Sequence, residues 1–133
     1  LVVTVGKNLL LDNFFAGSAY TAAFYLGLVD GASTPTYAAG DTMSSHAGWS
    51  ESVAYSNATR PSVGWNSASA GSKASTSTSF TVNASATIAG CFLTTSNTKS
   101  GTTGTLYSAG SFTGGNRGVQ SGDTLNVTYT GSV

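Results

Sequence analysis

The sequence predicts an all-β domain. Its apolar residues fall in short runs bounded by turn residues, it is rich in residue types that suit pleated surfaces, and only one segment carries a helical pattern. Twenty Thr, ten Val, six Tyr and six Phe supply the pleat-compatible set. Residues 1–5 (LVVTV) read as a short strand or an arm with no local partner. Residues 7–15 (KNLLLDNFF) are the helical candidate, because Leu10, Leu11, Phe14 and Phe15 lie three and four apart on one apolar stripe, and Gly17 is placed to stop it. Residues 21–29 (TAAFYLGLV) are almost wholly apolar and fit a central strand covered on both faces, turned by Asp30-Gly31.

A long loop is expected over 31–48, punctuated by Pro35, Gly40 and Gly48. Residues 49–55 alternate, with Trp49, Glu51, Val53 and Tyr55 on one face, and Arg60-Pro61 breaks the run. Residues 66–79 are a Ser/Ala/Gly/Thr stretch that reads as the softest loop. Phe80 and Val82 alternate in the next strand. Residues 86–93 (ATIAGCFL) read as a second buried strand, with Ile88 and Phe92 on one face, Cys91 and Leu93 on the other, and Gly90 marking a bulge or a close backbone approach. A turn-rich excursion over 97–104 leads to a strand over 105–112. Gly114-Gly115-Asn116 turns the chain, and Gly122-Asp123 opens a last strand through Leu125, Val127 and Tyr129. The result is seven to eight short strands and one N-terminal helix in a single domain over residues 1–133. Strands at this spacing fit a sandwich, a jelly roll or a small barrel.

Disorder is the first alternative to dispose of. Nine Leu, one Ile, ten Val and six Phe are just under a fifth of the chain, which is low for a folded domain. Net charge is zero, however, and aromatics make up 11% of residues, whereas disordered chains are charged and aromatic-poor. Only 8% of residues are charged, against about a quarter in an ordinary soluble domain. A surface that neutral desolvates cheaply against a partner and favours association. It also speaks against nucleic acid, which requires a basic face. No apolar run is long enough for a membrane helix. Residues 1–5 are too short, and lack the basic flank, for a signal peptide. The chain opens on Leu1 rather than Met, which leaves room for an upstream segment.

Chemistry finds little footing. One cysteine, Cys91, allows no internal disulfide, and one Cys with one His cannot supply a zinc tetrad. His46 is the sole histidine, with Asp41, Ser44 and Ser45 near it in sequence. Triad members meet in space rather than in order, so a loop histidine that pairs locally or meets a neighbouring subunit is the preferred reading. The acids Asp12, Asp30, Asp41, Glu51 and Asp123 are scattered singly. Three of them adjoin glycines and read as turn residues, while Glu51 falls on the apolar face of its run and calls for a buried partner, Arg60 or Arg117. No phosphate-binding glycine fingerprint and no Gly-x-Ser-x-Gly elbow occur. Trp49, Tyr55 and Trp65 could stack on a sugar, but core and interface aromatics explain them more simply. No catalytic, metal-binding or cofactor-binding residue is assigned. The interface candidates are the arm residues Leu1, Val2, Val3 and Val5, the aromatics Trp49 and Trp65, and the cations Arg60 and Arg117.

Several stretches taken in order carry a resemblance: NLLLDNFF (8–15), TAAFYLGLV (21–29), YAAGDTMSSHAGWSE (37–51), SNATRP (56–61), TIAGCFLTT (87–95), GTLYSAGSF (104–112) and GDTLNVTY (122–129). Together they resemble a group of small virion proteins of tailed bacteriophages, over nearly the whole chain. The motifs are individually unspecific, and their order carries the likeness. The resemblance implies a jelly-roll-like domain on the capsid exterior that cements or decorates the shell between major-capsid subunits, and it carries over no catalytic residue. Its implied partners are the major capsid protein and further copies of itself, as a homo-oligomer. Some similar domains sit on the tail or neck, so a receptor- or glycan-binding module there is the alternative. A polymer hydrolase, which would need two carboxylates facing each other in a cleft, is the third reading.

Overall fold

The structure is a computed structural model, and it describes residues 1–15 and 23–133. The expected helix stop at Gly17 and the first two residues of the expected strand over 21–29 lie outside the described residues. Among the described residues there are one helix, α1 (Thr4–Phe15), and nine strands: β1 (Tyr25–Asp30), β2 (Glu51–Ser52), β3 (Ser72–Ala74), β4 (Thr78–Thr81), β5 (Ala86–Thr94), β6 (Leu106–Ser111), β7 (Arg117–Val119), β8 (Thr124–Val127) and β9 (Thr130–Ser132). The fold is mostly β, with every strand pair antiparallel.

The main sheet runs β2-β1-β5-β6, with β7 also paired to β5. Two two-stranded sheets, β3-β9 and β4-β8, stand apart from it. β1 is the doubly covered strand that its apolar run predicts. Leu26 and Leu28 enter a core with Tyr55, Phe80, Val82 and Val127, while Val29 enters a second core with Val3, Met43, Trp49 and Phe92. One face of the sheet is therefore covered by β4-β8, and the other by the N-terminal arm and the 31–50 loop.

β5 departs from simple alternation. Ile88, Cys91 and Leu93 pack on the first core, Ala89 and Phe92 on the second. The expected pairing of Ile88 with Phe92 on one face fails because a β-bulge opposite Val29–Asp30 inserts one residue, and every later side chain changes sides. Gly90 is at that bulge, and a Cβ on it would strike the backbone of Gly110 on β6, so the close approach requires glycine. Gly27 has a different reason: the ring of Phe92, its cross-strand partner, occupies the space a Cβ would need.

The 49–55 run is also broken. Only Glu51–Ser52 forms a strand, Val53 is exposed, and Tyr55 N–H donates to Val53 O (2.7 Å) in a three-residue turn. Trp49 and Tyr55 consequently end in opposite cores. The Ser/Ala stretch over 66–79 carries β3 and the start of β4 where an ordered or semi-ordered loop is expected. Ser69 and Ser72 exchange both backbone bonds (2.9 Å each) around Ala70 and Gly71, whose positive φ angles (50° and 75°) make a type I′ hairpin turn. The strand it launches, β3, is held by main-chain bonds to β9, which composition alone cannot reveal.

Residues 1–5 divide between two roles. Leu1 and Val2 extend the main sheet along β6, through the Val2–Ser108 bridge and the Leu1 ammonium on Ala109 O (2.8 Å), and Val3 is fully buried. From Thr4 the chain is already helical.

Candidate functional site

The apolar stripe of α1 faces outward. The helix meets the sheet through Gly6, its only buried residue, which lies so close to the backbone of Tyr107 that no Cβ would fit. Leu9 and Asn13, on the same side, are half-buried. Leu10 (45%), Leu11 (51%), Phe14 (75%) and Phe15 (77%) stand in solvent. The spacing does build one stripe, as the sequence predicts, but Val5, Gly6, Leu9 and Asn13 rather than the stripe pack on the domain. Residues three and four apart share a face of a helix, so the four side chains form one continuous apolar surface, with the rings of Phe14 and Phe15 in edge contact at 5.2 Å.

Beside this stripe lies a cleft of about 660 Å³. Leu9, Leu10 and Phe14 of α1 form one wall, and Phe24, Trp65, Tyr107 and Tyr129 form the other. Trp65 and Tyr129 pack edge to face at 6.0 Å, and Phe24 and Tyr107 likewise at 5.9 Å. Tyr129 keeps its hydroxyl bonded to Ser108 Oγ (2.8 Å), and burial raises its pKa. Lys73, at the rim, donates to Asn66 O (2.8 Å). The cleft is thus aromatic, with its polar groups turned to internal partners. None of Phe24, Tyr107 and Tyr129 is a site candidate from the sequence; Tyr129 is read there only as part of the last strand, and its alternation with Leu125 and Val127 continues past the end of β8.

A second assembly uses the charges. Arg60, its side chain fully buried, grips Glu51 with two parallel bonds (Nε to Oε1 2.9 Å, Nη2 to Oε2 2.7 Å). It also donates to Ser96 O (3.0 Å) and Gly101 O (3.1 Å), and its guanidinium lies 5.1 Å from the centre of the Phe92 ring. Glu51 Oε2 accepts a further bond from Ser100 N–H (2.9 Å). Lys99 Nζ lies 4.1 Å over the Tyr55 ring and donates to Tyr55 O (2.7 Å) and Asn57 O (3.1 Å). Together these bonds fasten the 95–104 loop to the segment around β2. Glu51 has the buried partner that its sequence position calls for, and the partner is Arg60. Arg117 instead donates to Gly114 O in its own exposed turn (3.1 Å).

His46 pairs locally. Its ring stacks on Trp49 at 4.0 Å, and Nδ1 lies 3.1 Å from Trp49 O. Asp41 Oδ2 accepts from Trp49 Nε1 (3.1 Å) and Ala38 N–H (3.0 Å), which ties the long loop together. Trp49 and Tyr55 are buried on opposite sides of the sheet, so the three-aromatic sugar platform is not assembled. Of the interface candidates, Val3, Trp49 and Arg60 are buried and make their contacts inside the chain. Leu1 and Arg117 are exposed, and Val2, Val5 and Trp65 are half-buried. Among the described residues no group of three potential metal ligands comes together, and no helix is long and apolar enough to cross a membrane.

The chain matches no protein-family model and no curated protein.

Proposed function

We propose that the chain is a structural part of a virion, a jelly-roll-like domain that cements or decorates the capsid of a tailed phage by binding between major-capsid subunits. The observation that carries this reading is a surface suited to being covered. Few residues are charged, and the buried Glu51–Arg60 pair withdraws two of those from the surface, while large apolar side chains on α1 stand in solvent. Surfaces of that kind mark association sites. The resemblance of the ordered motifs to small phage virion proteins supports the address. The main sheet facing the β4-β8 pair across one core is compatible with a jelly-roll-like arrangement.

Co-sedimentation with purified mature phage heads, followed by particle reconstruction, tests the proposal. Binding should survive 1 M salt, where the Debye length falls to about 3 Å, because a neutral part has little long-range attraction to lose. Release of the protein as salt rises, or density confined to the tail, would overturn it. The aromatic cleft favours a second reading, a receptor-binding module on the tail or neck. In that case soluble glycans should compete with binding, and Trp65 fluorescence should report their uptake.

A further inference from the structure

We propose that the chain forms a two-fold symmetric dimer through the outward face of α1, with the Phe14–Phe15 pair of each copy seated in the aromatic cleft of the other. The proposal goes beyond the capsid reading and does not depend on it. The projecting group and the recess lie on one continuous surface, since Phe14 is both a knob in solvent and part of the rim of the cleft lined by Trp65, Tyr107 and Tyr129. A patch that carries both halves of a contact is self-complementary under a two-fold axis, and only that operator lets both copies insert at once and close the assembly.

Size and charge agree. Two Phe rings three-quarters exposed present about 150 Å² each, and the two half-exposed Leu side chains bring the stripe to roughly 400 Å². A stable interface takes about 800 Å² per partner. The stripe therefore supplies about half, and the aromatic cleft wall beside it supplies further area of the same kind. The helix carries one cation and one anion, Lys7 and Asp12, so two copies bring no net like charge together. In the cleft wall the rings of Trp65 and Tyr129 are already packed edge to face, so that side of the contact is preformed.

Sedimentation equilibrium of the purified chain over a dilution series reads the dimer directly, as twice the 13.3 kDa chain mass. The double variant Phe14→Ser, Phe15→Ser should be monomeric at every concentration and should still unfold cooperatively, at the temperature of wild type diluted to the monomer, because both rings are outside the core. Tryptophan emission supplies a second readout. Trp49 is buried in either state, so a red shift in the variant reports Trp65 uncovered. A monomeric wild type overturns the proposal, and so does a dimer that the double variant leaves intact. Three further outcomes reassign the stripe and overturn the proposal equally: a wild-type monomer whose stripe binds vesicles of neutral lipid, one whose head binding alone is lost in the variant, or identical Trp65 emission in both proteins. A dimer that fails to bind heads would sink the capsid reading and leave this one standing.

Discussion

Replacing Arg60 by Met tests whether the charge cluster holds the fold together. Arg60→Met keeps much of the aliphatic volume and deletes the guanidinium. It leaves Glu51 with its side chain 9% exposed and no counter-charge, and it leaves Ser96 O and Gly101 O without donors. Breaking a buried pair on one side costs about 3–5 kcal/mol, because the remaining charge stays desolvated. Against a total stability of about 5–15 kcal/mol this is a large share, and the melting temperature should fall by roughly 10–20 °C. The double variant Glu51→Leu, Arg60→Met removes both charges. It should recover most of the loss, leaving about 1–2 kcal/mol for the orphaned loop carbonyls and the Ser100 N–H. Urea denaturation of wild type, both single variants and the double variant closes the cycle. If Arg60→Met costs under about 1 kcal/mol, the pair behaves as a solvated surface ion pair, and the cluster is not what fixes the 95–104 loop.

Ala70 sits at φ 50° in a turn that prefers Asn-Gly, so Ala70→Asn should stabilise the protein by about 0.5–1 kcal/mol; an unchanged melting curve would count against a strained turn. Burial pushes the Cys91 thiol from 9.0 to about 11, against a smaller opposing pull from the Leu1 ammonium. The native thiol should therefore react with iodoacetamide at pH 8 about a hundredfold more slowly than in the unfolded chain. Because the folded pKa is the higher, the stability Cys91 contributes is fully present below pH 9 and is lost as pH rises through about 11; Cys91→Ala should flatten that part of the profile. Removing residues 1–3 takes out the fully buried Val3 and the Val2 bridge to β6, and should cost about 2–4 kcal/mol by thermal unfolding.

Much of the fold is legible in the sequence where a run of side chains decides the outcome alone. The apolar 24–29 segment can only be covered on both faces, Phe80 and Val82 alternate into the core, and Glu51 in an apolar run requires a buried cation. The features that escape reading are backbone events and choices of partner. The bulge near Gly90 changes the parity of β5 without altering its composition, and the turn at 53–55 does the same for Tyr55. β3 forms from Ser, Lys and Ala because β9 offers it hydrogen bonds. The α1 stripe shows the same limit at the site. Periodicity reveals that a helix has an apolar side but not which way that side points, and here Gly6, the residue without a side chain, decides it by fitting against Tyr107.

The order in which partners leave the ribosome follows from the sheet topology. Tyr25 pairs with Thr94 and Asp30 with Ile88, so β1 emerges long before the strand that satisfies it. β3 and β4 likewise wait, for β9 and β8 at the far end of the chain. The hairpin at Ala70-Gly71 is a local piece that can close early. Pairings this distant make folding slow, and they expose Leu26, Leu28 and Phe80 together in the waiting chain. A nascent chain stalled before residue 124 therefore lacks a partner for β4. High-level synthesis should consequently be limited by aggregation of unfinished chains, which slower translation or lower temperature would relieve.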